Sequence, residues 1–246
     1  MVYQIDLVKP KVLIAAPIAG VKQYSMGEWL RWVANQTFAN YDFALCVNGK
    51  GREELKAKLE VTEIVDVHKA IKKPIILEME SSDNTSTIQN LCYAREILMD
   101  YARSRDYTHL LFLDTDTIPH HLGTIDMLLE QNKDYISGLY FYKNSKVPVA
   151  INKLTHKNFT LEELKPMVLN KELVETWGVG YGCVLLSRKA FEVPLDYEKF
   201  GEQISDDFAH GDSCTKAGIT LYFYPLVCCQ HLGNGTDAFS MEKVEK

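Results

Sequence analysis

Two aspartates follow an apolar segment near the middle of the chain. Asp114 and Asp116 flank Thr115 and come directly after HLLFL, residues 109–113. In an extended segment, residues i and i+2 point the same way, so both carboxylates would project together from the end of a strand. Carboxylates this close repel each other unless a cation lies between them, and hard oxygen ligands favour Mg²⁺ or Mn²⁺. The spacing therefore predicts a divalent metal site, with a metal-free acidic turn or helix cap as the alternative.

An arginine precedes these acids on a predicted helix. Apolar residues between positions 88 and 102 share one helical stripe, and Arg95 falls near its centre. An unpaired buried charge is costly, so Arg95 needs an anionic partner. That partner is a ligand phosphate or an acidic metal site; the alternatives are a structural salt bridge or a side chain that extends its charged end to solvent.

A glycine-rich segment, WGVGYG, occupies residues 177–182. Gly178 and Gly180 let the backbone pass close to another group, and the rings of Trp177 and Tyr181 suit the apolar face of a sugar. We expect these residues to bind a sugar; a bulged strand is the alternative.

Two aspartates and a histidine near the end of the chain need no functional role to explain them. Asp206 and Asp207 lie on a predicted polar turn, where acids favour a helix start. His231 follows the predicted strand 220–228 and would be a hydrogen-bonded histidine. Catalysis and metal binding are the alternatives for these positions.

The elements that must position these residues alternate between strand and helix. Strands are predicted at 11–16, 43–47 and 109–113, with helical segments between them, which indicates a largely parallel sheet covered by helices. Ligands of such sheets gather at the carboxyl ends of the strands. Later predictions are a helix beginning at Pro119 and an aromatic strand at 135–142.

Composition narrows the class of protein. The 246 residues suit one large α/β domain, and 46% apolar with 24% charged residues excludes disorder and coiled coil. The net charge of −6 comes without a stripe of Lys and Arg, which excludes a general nucleic-acid binder. The apolar run near the N-terminus is too short to cross a membrane, so we expect a cytoplasmic protein. Its six scattered cysteines then indicate buried, reduced thiols.

Taken in order, these segments resemble glycosyltransferases of the GT-A fold, in particular the family 2-like and Anp1-like enzymes. The resemblance spans about residues 11–233 and rests on five features in the expected order. These are the Arg95 helix with its strand and D-x-D motif (YAREILMDYARSRDYTHLLFLDTD), ISGLYFYK at 136–143, WGVGYGCVLLSR at 177–188, SDD at 205–207 and CQHLG at 229–233.

The resemblance implies an α/β, GT-A-like fold with a mostly parallel mixed sheet flanked by helices. Residues 11–119 would form the nucleotide-binding half, residues 120–233 the acceptor-binding half, and residues 234–246 a C-terminal tail. The implied activity is metal-dependent transfer of a hexose from a UDP- or GDP-sugar to a hydroxyl. The acceptor would be a glycan, a protein or a lipid-linked sugar.

The resemblance also implies roles for single residues. Those that bind the nucleotide would be Pro17 and Asn48 at the base, together with Thr115 and Arg95. Arg95 would support the charge of the diphosphate or orient the acids. The metal, Mn²⁺ or Mg²⁺, would be held by Asp116 and His231, with Asp114 contributing through the ribose or a bound water. A metal there neutralises the departing diphosphate as a Lewis acid.

By the same resemblance, Asp207 would deprotonate the acceptor hydroxyl in an inverting reaction. The chain departs from the family pattern at three places. Asp206 replaces the usual Glu, Asn48 replaces an acidic residue, and His210, Gly211 and Asp212 replace the common Phe-Cys. Asp206 and Asp212 therefore remain alternatives for the base, and retention of configuration remains an alternative outcome.

Two other functions fit parts of the pattern. Residues 110–118 also resemble the D-x-D-x-T motif of haloacid dehalogenase-like phosphatases, in which Asp114 would be the nucleophile. That motif usually ends the first strand, whereas several strand and helix units precede it here. The second alternative is a non-catalytic sugar-nucleotide-binding module on the same scaffold.

Overall fold

The computed structural model describes residues 9–80, 86–195 and 205–233. The predicted tail, residues 234–246, lies outside the described residues. The strands of the described part are β1 Val12–Ala19, β2 Tyr41–Asn48, β3 Ile64–Val65, β4 Ile71–Lys72, β5 Ile75–Glu78, β6 His109–Leu113, β7 Thr117–Pro119, β8 Tyr135–Leu139, β9 Ala150–Asn152, β10 Val174–Val179, β11 Cys183–Ser187 and β12 Leu221–His231. The helices are α1 Met26–Ala34, α2 Arg52–Glu60, α3 Thr87–Arg103, α4 Thr124–Glu130, α5 Leu161–Leu169, α6 Arg188–Phe191 and α7 Asp206–Lys216, with a 3₁₀ helix at Gly20–Ser25.

One large mixed sheet organises the described residues. Its strand order is β5-β2-β1-β6-β11-β8-β12-β10-β9, and β7 pairs with β12 outside this path. The strands β5, β2, β1 and β6 run parallel, and β8 is parallel to β12. The antiparallel strand β11 lies between β6 and β8. This arrangement confirms the predicted α/β class with a mixed sheet flanked by helices.

Alternate residues of the central strands enter two separate cores, one on each face of the sheet. In β1, Leu13 and Ala15 pack with the apolar residues of α3, whereas Val12 and Ile14 pack with Trp29 and other residues of α1. Successive side chains of a strand point to opposite faces of the sheet, and here both faces are covered by helices. This explains why these strands are continuous apolar runs in the sequence.

The strand β1 continues past the predicted end at Pro17. It runs to Ala19 in parallel register with β2, whereas β6 pairs with it only as far as Ala15. Beyond Ala15, β1 has a hydrogen-bonding partner on one side, and a proline without an N–H is tolerated at such an edge. The strand therefore carries Pro17 to the rim of the sheet.

The helix predicted to begin at Pro119 begins later. Pro119 ends the short strand β7, where it lies opposite Cys229 of β12, and α4 begins at Thr124. Pairing with β12 holds residues 117–119 extended, which the local sequence does not reveal.

Two capping boxes fix helix starts on this scaffold. Ser86 accepts from the backbone N–H of Gln89 at the start of α3, and Thr160 does the same with Glu163 at the start of α5. The first sets the register of α3 and thereby turns Arg95 toward the sheet.

The other sequence expectations concern cysteines and membranes. Five cysteines are buried and Cys228 is half-buried. In the described part of the chain, no helix combines the length and the apolar character that a membrane crossing needs.

Candidate active site

The carboxyl ends of β1, β2 and β6 enclose a cleft of about 320 Å³. Its lining includes Pro17 and Ala19 of β1, Asn48 of β2 and Asp114 after β6, with Lys22 at its rim. The structure thus brings Pro17, Asn48 and Asp114 together at the sheet edge where open α/β proteins bind ligands.

Arg95 connects this cleft to the acidic pair on α7. Its Nη2 donates to Asp114 Oδ1 at 3.0 Å and its Nε donates to Asp206. The guanidinium lies over the rings of Phe112 and Tyr181, 5.1 and 4.7 Å from their centroids, and is 2% exposed. Its Nη1 is buried and has no hydrogen-bond partner among the described residues. The anionic partners of Arg95 are therefore carboxylates of the protein itself.

Asp116 is fully buried and has lysines as partners. Its Oδ2 lies 3.0 Å from Lys22 Nζ, 2.7 Å from Lys143 Nζ and 3.4 Å from the Tyr24 hydroxyl. Burial alone raises the pKa of Asp116, but the two ammonium groups outweigh it and lower that pKa below its ordinary value. The second oxygen, Oδ1, is buried, and no residue in the described part of the chain hydrogen-bonds to it.

The expectation that both acids project together from an extended segment is wrong. The chain turns after β6, where the N–H of Thr117 donates to the carbonyl of Asp114 at 2.9 Å. Asp114 therefore turns to Arg95, whereas Asp116 turns to the lysines. Because each carboxylate has its own cation, repulsion between them does not by itself require a metal.

His231 ends β12 beside Asp116. The N–H of Leu232 donates to the Asp116 carbonyl at 2.7 Å, and His231 Nδ1 donates to the Phe141 carbonyl at 2.8 Å. That bond leaves the lone pair of the neutral ring on Nε2, which lies 3.8 Å from Asp116 Oδ2. The late histidine and the second acid of the motif are therefore neighbours.

The three candidate bases differ in surroundings. Asp206 is 3% exposed and paired with Arg95. Asp212 pairs with Lys216 one turn along α7. Asp207 is half-buried at the start of α7, and its Oδ1 accepts from Ser205 and from the N–H of Phe208. Burial, with the neighbouring Asp206, raises the pKa of Asp207 to about 7.

The alternating glycines fit the protein's own aromatic rings. A Cβ at Gly178 would overlap the Phe208 ring, one at Gly180 the Tyr140 hydroxyl, and one at Gly182 would lie 2.6 Å from Tyr140 Cζ. The pairing of β10 with β9 also shifts register between Thr176 and Gly178, as the bulged-strand alternative predicts. Gly178 and Gly180 therefore border packed side chains.

Two aromatic residues of this segment have different environments. Tyr181 is 1% exposed, and its hydroxyl bonds to His210. Trp177 is 47% exposed, and its ring stacks on Phe208 with centroids 6.1 Å apart. Trp177 is thus the residue of this segment that an external sugar could reach.

One predicted residue, Thr115, does not line the cleft, and three residues that were not predicted lie at the site. Thr115 is 1% exposed, and its hydroxyl lies 3.4 Å from Ser25 Oγ. Lys22, Lys143 and Tyr24 enter the site without having been predicted. The sequence offers little to find them by, because their relation to Asp116 depends on which loops the sheet brings to one edge.

Comparisons with known proteins identify the fold. No protein-family model matches the sequence, and no curated protein matches it. Among solved structures, A197 from STIV matches over 94% of this chain and 91% of its own, with a TM-score of 0.55 and 16% identity. TarS from S. aureus matches over 88% of this chain and 37% of its own, with a TM-score of 0.54 and 11% identity. The chain has a GT-A-like fold, a mixed α/β sheet flanked by helices.

Proposed function

We propose that this chain is a glycosyltransferase that moves a sugar from a nucleotide-diphosphate donor to an acceptor hydroxyl. The observation that carries the proposal is the linkage made by Arg95. One guanidinium connects Asp114, in the cleft, to Asp206, next to the proposed base. The donor cleft and the base that activates the acceptor are then held at a fixed distance from each other, as transfer of a group between two bound molecules requires.

The donor would lie at the carboxyl ends of β1 and β2. The base would contact Pro17 and Asn48, and the ribose would reach Asp114, directly or through water. Nucleotides bind at this edge in open α/β sheets, and the cleft of about 320 Å³ falls in the range of small-molecule sites. A UDP- or GDP-sugar is the donor that we propose.

Asp116 and His231 fit a divalent cation shared with the donor. Asp116 has one oxygen, Oδ1, without a hydrogen-bond partner among the described residues, and His231 Nε2, which keeps the lone pair, lies 3.8 Å from the other oxygen, Oδ2. No cluster of three or more His, Cys, Asp or Glu residues lies there within the described ranges, so diphosphate oxygens and water would complete the shell. Mg²⁺ commonly binds in this way, through one or two carboxylates plus substrate phosphates. Bound there, Mn²⁺ or Mg²⁺ would neutralise the departing diphosphate.

Asp207 is the base that the surroundings favour. Asp206 is occupied by Arg95, and Asp212 by Lys216 on the exposed side of α7. A pKa of about 7 makes Asp207 a stronger base than an ordinary aspartate, and about half of the Asp207 carboxyl groups are ionised at neutral pH. Removal of the acceptor proton by Asp207, with attack opposite the diphosphate, gives inversion at the sugar.

The acceptor would approach over Trp177. This exposed ring stacks on Phe208, the residue after Asp207, so a sugar on its face would lie near the base. A glycan, a glycosylated protein or a lipid-linked sugar presents such a face.

The proposal is tested by binding and turnover measured together. UDP- and GDP-sugars are titrated by calorimetry with Mn²⁺ and with EDTA, and release of the nucleoside diphosphate is followed by mass spectrometry. We expect either the UDP-sugars or the GDP-sugars to bind more tightly with Mn²⁺ than with EDTA. Without an acceptor, we also expect the bound donor to be hydrolysed slowly. Binding without any turnover, with acceptors supplied, would favour the non-catalytic module. Phosphate-mimic trapping on Asp114 would favour the phosphatase alternative.

A further inference from the structure

Lys22 and Lys143 create a surplus of positive charge at Asp116. Both ammonium nitrogens contact the same buried oxygen, Oδ2, at 3.0 and 2.7 Å. Each lysine side chain is nevertheless 39% exposed. An ammonium group has three N–H donors, so each lysine keeps donor capacity that one carboxylate oxygen does not use.

This surplus lies at the nucleotide cleft. Lys22 lines the same cavity as Pro17, Asn48 and Asp114. Arg95 already neutralises Asp114, so an incoming anion would meet Lys22 in the lining of the cleft and Lys143 beside it on Asp116. A diphosphate carries two or more negative charges, enough to pair with both ammonium groups.

The lysines also compete with a metal ion. A cation bound by Asp116 and by His231 Nε2 would lie between atoms that are 3.8 Å apart. The ammonium of Lys143 is 2.7 Å from the same Asp116 oxygen. Like charges at such separations repel strongly in a buried setting. A metal can therefore use Oδ2 only when at least one lysine has moved to another anion.

We propose that Lys22 and Lys143 exchange partners when the donor binds. In the donor-free protein they neutralise Asp116 and keep divalent cations away from it. Diphosphate oxygens then take over both ammonium groups, and Asp116 becomes available to the metal. No covalent bond changes in this exchange, which rests on the proposed function and adds the order in which diphosphate and metal bind.

The exchange predicts opposite effects in a single variant. Inorganic pyrophosphate, which has no base or sugar, is titrated by calorimetry in EDTA. Mn²⁺ alone is titrated by the loss of its free-ion electron paramagnetic resonance signal. We expect Lys143→Met to weaken pyrophosphate binding about tenfold, the loss of one charge-assisted contact, and to tighten Mn²⁺ binding about tenfold. Lys22→Met should act in the same directions.

Two controls separate this result from damage to the fold. Lys143→Arg keeps the charge and should stay near the wild type for both ligands. Lys146→Met removes an exposed lysine three residues along the same connection and should change neither. A misfolded variant loses both affinities and shows a lower melting temperature.

The outcomes distinguish the two proposals. If the wild type binds pyrophosphate and Lys143→Met changes neither affinity, the exchange is wrong and the transferase proposal stands. If Mn²⁺ binding tightens in the variant but no diphosphate binds the wild type, the lysines block the metal site and the proposed function is wrong. Loss of Mn²⁺ binding in a well-folded Lys143→Met protein also overturns the exchange.

Discussion

Arg95 Nε donates to Asp206, the residue directly before the proposed base. Both groups are almost completely buried, with Arg95 2% and Asp206 3% exposed. The same guanidinium also holds Asp114, and its positive charge acts on the neighbouring Asp207 as well, so one buried positive charge serves three carboxylates. This shortage of positive charge, added to burial, raises the pKa values of Asp206 and Asp207.

Replacement of Arg95 should destabilise the protein strongly. Arg95→Met leaves Asp206 and Asp114 without their cation, and breaking a buried pair costs about 3–5 kcal/mol. Arg95→Lys should recover only part of this loss, because one ammonium group cannot reproduce the fork of the guanidinium. Urea unfolding measures the free energy. The exposed Arg105→Met is the control and should shift it by less than about 0.5 kcal/mol.

Asp207→Asn should separate binding from transfer. The amide can still accept from Ser205 and Phe208, so donor affinity should stay within about twofold of the wild type. Loss of the base should lower the transfer rate by about 10²–10⁴-fold. Asp212→Asn, on the exposed side of the same helix, should keep full activity. Normal turnover in Asp207→Asn would move the base to Asp206 or Asp212.

The transfer rate should rise with pH around an apparent pKa of about 7. Burial and Asp206 hold the Asp207 proton to that pH, and only the ionised form can accept the acceptor proton. Saturating donor and acceptor at pH 5.5 to 8.5 would give this profile. A rate that is flat over this range would contradict the assignment.

Stability should change with pH in the opposite direction. The folded pKa of Asp207, about 7, lies above its unfolded value of 3.8, so the folded state binds the proton more tightly. The contribution of Asp207 to the free energy of unfolding is therefore complete below about pH 4 and is lost as the pH rises to about 7. Because solvent screens this half-buried group, we expect a loss of about 1–2 kcal/mol. The Asp207→Asn protein should lack this loss. Urea unfolding at pH 5 and pH 8 measures both proteins.

Asp116→Ala should abolish the metal dependence of donor binding. The variant loses the carboxylate that would hold the cation, while Lys22 and Lys143 remain to attract the diphosphate. We expect UDP or GDP affinity to become equal in Mn²⁺ and in EDTA, as measured by calorimetry. Asp100→Ala on the exposed face of α3 should retain the wild-type difference. A surviving metal effect in Asp116→Ala would place the ion elsewhere.

Gly180→Ala should destabilise the sheet, since the new methyl group overlaps the Tyr140 hydroxyl and Val149. Overpacking of this kind costs about 1–3 kcal/mol. Gly27→Ala is the matched control: within the described ranges, nothing beyond its chain neighbours and its own helix backbone lies within 4 Å of its Cβ position, and alanine favours the helix by up to about 1 kcal/mol. Thermal unfolding of both variants tests the contrast. Equal melting temperatures would show that the Gly180 contact relaxes freely.

The local pattern of the chain predicts the strands well. The run 109–113 matches β6 in both limits, and the burial of Arg95 follows from its place on the helical stripe. Such features depend on periodicity over a few residues, which the sequence displays directly. The position of Asp114 and Asp116 at the sheet edge is predictable for the same reason.

Partners distant in sequence were not predictable in this way. Lys22 and Lys143 meet Asp116 only because the loops after β1 and β8 converge on one edge of the sheet. The turn that separates the two acids, and the Tyr140 ring beside Gly180, also depend on packing between distant segments. The choice among the candidate bases also depends on such a contact. Only the folded chain shows that Asp206 is paired with Arg95, which makes Asp206 a poor candidate.

Gly182 hydrogen-bonds in two directions. Its carbonyl accepts from the N–H of Asp114 at 3.1 Å, and its own N–H donates to the Tyr140 hydroxyl at 3.0 Å. A single peptide segment thus couples the acidic turn to an aromatic ring after β8. In chimeras that graft residues 120–233 of a related protein onto this N-terminal half, Tyr140 and Gly182 are replaced together, and the grafted residue 182 must still place its carbonyl against the N–H of Asp114.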